Sequence, residues 1–197
     1  MTTQGLAAVF AVGLVLAIVL FLLVTSYNAV MALRQRIDKA WANIDVVLKQ
    51  RHDQLPALVS VVRGLMAFEQ DVLTEVAQAR AAYSPTEPIP EQAVHSEQTT
   101  RAVRSLFAVV EAYPQIRSDQ NVLDLQNEIE RLESMIADRR ELYNDQVYRY
   151  NTRIAQLPGV LLAGLLGWRP RVFFDADPAA DRPPRGLIDE PTDEAGS

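Results

Sequence analysis

From Leu6 to Val24 the chain is an almost unbroken apolar run, and no Asp, Glu, Lys, Arg or His occurs before Arg34. A bilayer core needs about 20 apolar residues in helical form, so this run predicts a membrane-spanning helix. A cleaved signal peptide would need a basic start, a shorter apolar core and a small-residue cleavage site. Thr2-Thr3-Gln4-Gly5 offers no basic side chain, and Thr25-Ser26-Tyr27 is a poor cleavage site, with Val30-Met31-Ala32 a weak alternative. These features favour a retained anchor.

Beyond the anchor the apolar positions change to helical spacing. Val30, Leu33, Ile37, Ala40, Ile44 and Val47 follow one another in steps of three and four, with Trp41 and Leu48 widening the stripe, which is the pattern of a bundle helix. Arg51-His52-Asp53-Gln54-Leu55-Pro56 interrupts it. Either Asp53 caps a second helix with Pro56 in its first turn, or one long helix kinks there. The next stripe is Leu58, Val62, Leu65, Val72, Val76, Ala79 and Tyr83, with Phe68 at its edge.

The three prolines of Ser84-Pro85-Thr86-Glu87-Pro88-Ile89-Pro90 require a loop. A third helix from about Glu91 carries Ala102, Val103, Leu106, Phe107, Val110 and Tyr113 and closes at Pro114. The most regular stripe belongs to a fourth helix from Ser118 to Leu157: Leu125, Ile129, Leu132, Ile136, Tyr143, Val147, Tyr150, Ile154 and Leu157. Its opposite face, Glu128, Arg131, Glu133, Asp138, Arg140 and Glu141, reads as solvated. On that reading Glu133→Ala should cost under about 0.5 kcal/mol.

Val160 to Trp168 is apolar on every side but too short to span a bilayer. It needs a cover: the open end of the bundle, the bilayer, or another copy of the chain. Leu162, Leu165, Leu166, Trp168, Arg169, Arg171, Phe173 and Phe174 are the candidate membrane or partner contacts, since Trp and Arg suit a headgroup interface. In a four-helix up-and-down arrangement this segment returns to the bilayer. With a merely kinked first helix and three helices it would point away.

The expected architecture is therefore all-α, an N-terminal transmembrane helix followed by an antiparallel up-and-down four-helix bundle. The segments are residues 1–26 for the anchor, 27–157 for the bundle, 158–174 for the apolar C-terminal segment and 175–197 for a disordered acidic tail. Net charge is −6, much of it in that tail, and an acidic chain without a basic stripe argues against nucleic acid as a partner. Arg34, Arg36 and Lys39 follow the anchor and nothing basic but the amine precedes it. The positive-inside bias thus puts the bundle in the cytoplasm and the N-terminus outside.

No motif for catalysis stands out. There is no Cys, and the two histidines, His52 and His95, lie in separate segments without metal-ligand spacing. Arg51, His52 and Asp53 are adjacent on one helix and point in different directions. Glu69, Asp71 and Glu75 are acidic only in composition, and no phosphate loop or nucleophile motif occurs. No cofactor is expected.

Several segments together resemble the LemA family. They are Tyr27-Asn28 after the anchor, Leu33 to Val46, Leu48 to Val59 with its arginine, aromatic position and aspartate before Pro56, Tyr150-Asn151-Thr152-Arg153-Ile154, Pro158-Gly159, and Gly167-Trp168-Arg169-Pro170-Arg171-Val172-Phe173-Phe174. His52 stands where many relatives carry Tyr, and the third helix is less family-like. The resemblance implies a bacterial membrane helix with a four-helix bundle and no catalytic residues. It also makes organisation of membrane a candidate role, because some relatives are associated with internal membrane structures. The functional expectation is a non-enzymatic, inner-membrane scaffold that meets lipid and either copies of itself or a membrane-protein partner. The alternative is an accessory subunit of a membrane enzyme such as a protease or signalling kinase.

Overall fold

In the computed structural model, which describes residues 3–65 and 70–176, the chain is all-α. Helix α1 runs from Thr3 to Leu65, α2 from Gln70 to Ala81, α3 from Ile89 to Ala112, and the single turn α4 from Pro114 to Arg117. Helix α5 runs from Gln120 to Ala155 and α6 from Gly159 to Leu166. The expected acidic tail, 175–197, lies outside the described residues apart from Asp175 and Ala176.

No new helix begins at Asp53 or Pro56. Pro56 sits inside α1, where its ring is exposed and its missing N–H leaves the His52 carbonyl without its usual helical donor. The apolar seam continues through the polar interruption: Ile44, Val47, Leu48, Leu55, Leu58 and Val62 are all buried, and Arg51 occupies the seam position between them. The interruption is a charge placed in the core, not a break in the helix.

An unbroken α1 does not carry the C-terminal segment away from the membrane end, because the chain has reversed by α2. Leu73 and Val76 share a core with Leu58 and Val62, and further along Tyr83 stacks on His52 at 4.8 Å between ring centroids. Rising residue numbers on α2 therefore meet falling ones on α1. The proline loop follows, held by the Gln92 amide, which donates to the carbonyls of Pro85 and Glu87 at 3.3 and 2.8 Å. Helix α3 then climbs again, from Ser96 beside Arg51 to Val110 in the core with Val62 and Ile116. Asp119 caps α5 by accepting from the Asn121 and Val122 amides.

Helix α5 descends along the part of α1 that follows its apolar stretch. Arg51 meets Glu133; ten residues back along α1, Trp41 meets Tyr143, ten residues on along α5. The core accordingly has two halves. The distal half takes side chains from α1, α2, α3 and α5. The half nearer the apolar stretch is built mainly from α1 and α5, with Phe174 laid between them.

At the waist between the halves, Arg51 is 3% exposed. Its guanidinium pairs with Glu133 at 2.7 Å and donates to the Thr100 hydroxyl at 2.9 Å and to the Ser96 hydroxyl at 2.9 Å. Thr100 in turn donates to the other Glu133 oxygen at 2.7 Å. The expectation that Glu133 lies on a solvated face is thus wrong. Its neighbours Leu132 and Ile136 face α1, and α3 brings Thr100 over the adjoining strip, so Glu133 is enclosed from two sides. One helix's periodicity cannot register a second partner covering its flank.

Removing Glu133 would leave a buried guanidinium without its countercharge. Glu133→Ala is expected to cost about 3 kcal/mol in chemical denaturation, comparable to the about 2–5 kcal/mol of Ile136→Ala. The exposed Glu130→Ala should stay under about 0.5 kcal/mol. Equal small effects at Glu130 and Glu133 would show the waist network to be dispensable.

His52 gives a second test. Burial against Tyr83, then the nearby Arg80, lowers its pKa below the ordinary 6.5, outweighing the opposite pull of Asp53. The unfolded chain then binds the proton more readily, so the neutral imidazole's contribution is complete above pH 6.5 and is lost as pH falls below it. His52→Tyr is expected to show a smaller fall in melting temperature between pH 7.5 and 5.5 than the parent, measured side by side. A parallel fall in both would remove His52 from the account.

Candidate membrane-facing site

The C-terminal segment turns back at the foot of α5. Gly159 is buried with its Cα against the Arg153 carbonyl, where any Cβ would overlap the oxygen. Only glycine lets the chain fold over the end of α5 so closely. Helix α6 follows, and Gly167 ends it in the left-handed conformation at φ 67°, with the Trp168 amide returning to the Ala163 carbonyl at 3.0 Å.

Residues 168–174 then lie back along α5, held by side chains that stand in for a backbone partner. The Asn151 amide brackets Arg171, donating to its carbonyl at 2.9 Å and accepting from its N–H at 2.8 Å. Asn144 does the same to Phe174, at 3.3 and 2.9 Å. Tyr150 and Tyr143 donate to the carbonyls of Arg169 and Val172 at 3.2 and 3.0 Å. The two asparagines are about 10 Å apart along a helix rising 1.5 Å per residue. Arg171 and Phe174 are about as far apart in an extended chain rising about 3.3 Å per residue. That match is why one asparagine can serve each end of the segment.

The eight expected contact residues separate accordingly. Phe174 is 2% exposed, packed on Trp41 at 5.7 Å, and belongs to the core. Phe173 and Trp168 also lean on that core, as does Ala163. Leu162 and Arg171 are half-buried, and Leu165, Leu166 and Arg169 are exposed. Leu157 and Leu161, 74 and 62% exposed, join Leu165 at 82% on the open side. Sequence reasoning missed Leu161 by treating residues 160–168 as uniform, and it wrongly placed Leu157 in the apolar stripe of α5, whereas that helix ends at Ala155 and leaves Leu157 exposed beyond it. It also missed Asn144 and Asn151, whose separation by two helical turns was the available signal.

This site sits where α1 leaves its apolar stretch. Trp168 packs against Tyr27, ring centroids 5.9 Å apart. Below that level α1 is bare, with every large apolar side chain from Val9 to Leu22 exposed. By length and composition it is the one helix among the described residues that could cross a membrane. Above it, Arg34 and Arg36 on α1 meet the level of Arg149 and Arg153 on α5 and of Arg169 and Arg171. A basic cluster absent from the linear sequence is assembled by the fold.

Elsewhere the surface offers little chemistry. A cleft of about 400 Å³ between α2 and α3 is lined by Glu75, Gln78, Ala79, Ala82, Gln98 and Arg101, with no nucleophile. Among the described residues no three His, Cys, Asp or Glu converge as metal ligands would.

The segments joined here include the Tyr150-Asn151 stretch of the late helix and the closing Gly167 to Phe174 motif. A LemA family model matches residues 40–185, from the middle of α1 through that motif. The chain belongs to the LemA family. Among curated proteins it is similar to magnetosome proteins MamQ 2 and MamQ 1 of Paramagnetospirillum magneticum, each 37% identical over 82 residues. It is also similar to magnetosome protein MamQ of Magnetospirillum gryphiswaldense, at 32% over 82 residues. Each alignment covers 42% of this chain and 30% of the relative, so the chain spans under a third of the curated relatives it matches.

The asparagine clasp has a direct test. Asn144→Ala with Asn151→Ala would unpair the peptide groups of Arg171 and Phe174, each at about 1–3 kcal/mol where buried. Limited trypsin digestion is expected to cut after Arg171, the Arg169–Pro170 bond being resistant, several times faster in the double variant, with far-ultraviolet helix content unchanged. An unchanged digestion rate would mean that the aromatic packing of Phe174 alone holds the segment.

Proposed function

We propose that this LemA family member is a non-enzymatic scaffold held in the bacterial inner membrane by α1, with its N-terminus outside and its helical domain in the cytoplasm. Helices α1, α2, α3 and α5 work in this reading as an up-and-down four-helix bundle that assembles laterally with copies of itself and so organises membrane. The observation that carries it is the continuity of α1. One helix passes from a bare apolar stretch into the seam against α5, so the domain is fixed to its anchor without a flexible linker. A rigid mount suits a protein that acts by its position. The cations on the domain side of the apolar stretch support the orientation. The naming of three partial relatives as magnetosome proteins supports a membrane-organising role by analogy.

Gentle detergent extraction followed by mass measurement and protein identification tests this. The expected result is an assembly of many copies of this chain. A stoichiometric foreign enzyme would favour the accessory-subunit reading instead, and a lone monomer would overturn lateral assembly. Leu16→Arg with Leu20→Arg is expected to move the protein to the soluble fraction, each central charge costing about 2.5–3.5 kcal/mol on insertion scales. Parent protein found wholly soluble would end the anchor reading.

A further inference from the structure

Helix α6 stands at a height set by α1. Along one face of α1 exposure falls at the end of the apolar stretch: Leu23 is half-buried, and Ser26 and Val30 are buried. The packing of Trp168 on Tyr27, and of Trp168 and Ala163 against the core that holds Val30, puts α6 at that level. Its inner side is therefore occupied. Leu161 and Leu165 are one helical turn apart on the outer side and open.

Charge gathers at the same end. Residues 27–38 of α1 and 146–171, which lie beside them, carry six arginines and one aspartate, a formal +5 in a chain of net charge −6. Arg171 lies 3.7 Å from Asp38, the one acid within these segments, and Arg149 pairs with Asp145 just above. Arg34, Arg36, Arg153 and Arg169 have no carboxylate within ion-pair distance among the described residues.

We infer that α6 lies in the headgroup interface of the leaflet through which α1 emerges, with Leu161 and Leu165 among the acyl chains and the arginine collar on anionic phospholipid headgroups. The domain is then held to the bilayer at two points. The inference rests on α1 being a membrane anchor and adds which lipid and which residues complete the attachment. Position favours lipid, because whatever surrounds the end of the apolar stretch of α1 also surrounds α6. Charge excludes a second copy docking face to face: its collar would repel this one, whereas anionic headgroups neutralise it. An interfacial helix with Trp and Arg at its end is a known mode of attachment.

The test uses the full chain reconstituted in vesicles of phosphatidylcholine and phosphatidylglycerol whose acyl chains carry bromine, a contact quencher of tryptophan. Trp41 and Trp168 are the only tryptophans. Trp41→Phe isolates Trp168 at the interface. Trp168→Phe isolates Trp41, about 20 Å further along α1 than Tyr27. Trp168, half-buried at that level, is expected to be quenched well beyond Trp41, and omitting phosphatidylglycerol should recover part of the Trp168 signal. Leu161→Asp with Leu165→Asp in the Trp41→Phe background should restore it too, with helix content unchanged.

If that pair perturbs the fold, Leu165→Cys, the sole thiol in a chain without cysteine, can carry an environment-sensitive dye. A blue shift in vesicles supports the proposal. Trp168 unquenched in protein that floats with the vesicles overturns it, as does efficient disulfide crosslinking through Cys at 165. Quenching indifferent to phosphatidylglycerol overturns the role given to the arginines. Protein that fails to float at all overturns the anchor instead.

Discussion

The register of α1 against α5 decides where everything C-terminal to α5 can go. Two contacts of different chemistry mark it: the Trp41–Tyr143 edge-on ring pair and the Arg51–Glu133 ion pair. Each lies at a position where the other helix cannot slip by a turn without a loss. A slip would bring a branched aliphatic chain against the guanidinium and leave the carboxylate facing apolar surface, both costly in a buried setting. With the register fixed, α5 must end beside Tyr27, and the Gly159 fold-back must happen there.

The waist charge has a structural logic beyond its own energy. A buried ion pair often contributes no more net stability than a hydrophobic pair of similar volume, so Arg51 is not needed to hold α1 to α5. It does connect α3 to both, because its remaining donors go to Ser96 and Thr100 on that helix. The α3 stripe otherwise offers small and β-branched side chains at this level, with Ala93, Ser96 and Thr99 buried, and these give weak register information. A polar network with directional partners fixes the height of α3 where apolar packing would tolerate sliding.

Periodicity made the long elements legible. Apart from Leu157, which lies exposed beyond the end of α5, the stripes of α3 and α5 lie where their spacing placed them; the Pro114 stop was equally plain, and the proline loop ends two residues early because Pro90 fits the first turn of α3. What eluded it was anything requiring knowledge of two elements at once. Arg51 reads as an interruption of α1 until α3 and Glu133 are seen around it, and Glu133 reads as solvated until α3 covers its flank. That α2 runs back along α1 was hidden too, because the apolar spacing from Leu58 to Tyr83 looks continuous, and the Asp53–Pro56 cluster offered a false stop. The candidate membrane-facing site was half legible: its apolar run and its Trp and Arg were visible. The division into a core side (Phe174, Trp168, Ala163) and an open side (Leu161, Leu165) came from the fold-back at Gly159.

The family match bears on these parts unequally. It begins at Ala40, after the apolar stretch and after Arg34 and Arg36, and it includes the Asn144 and Asn151 clasps, α6 and the closing motif. What the family description covers is thus the device that returns the C-terminal segment to the foot of α5. The reason for returning there has to come from residues before the match. Without the apolar stretch of α1, the open face of α6 and its flanking arginines would be a misplaced patch on the domain surface. With it, they stand at the level where, in the attachment proposed above, a bilayer would supply acyl chains to one and headgroups to the other. The two halves of the proposed attachment come from opposite ends of the described helices, and the α1–α5 register is what brings them to one height.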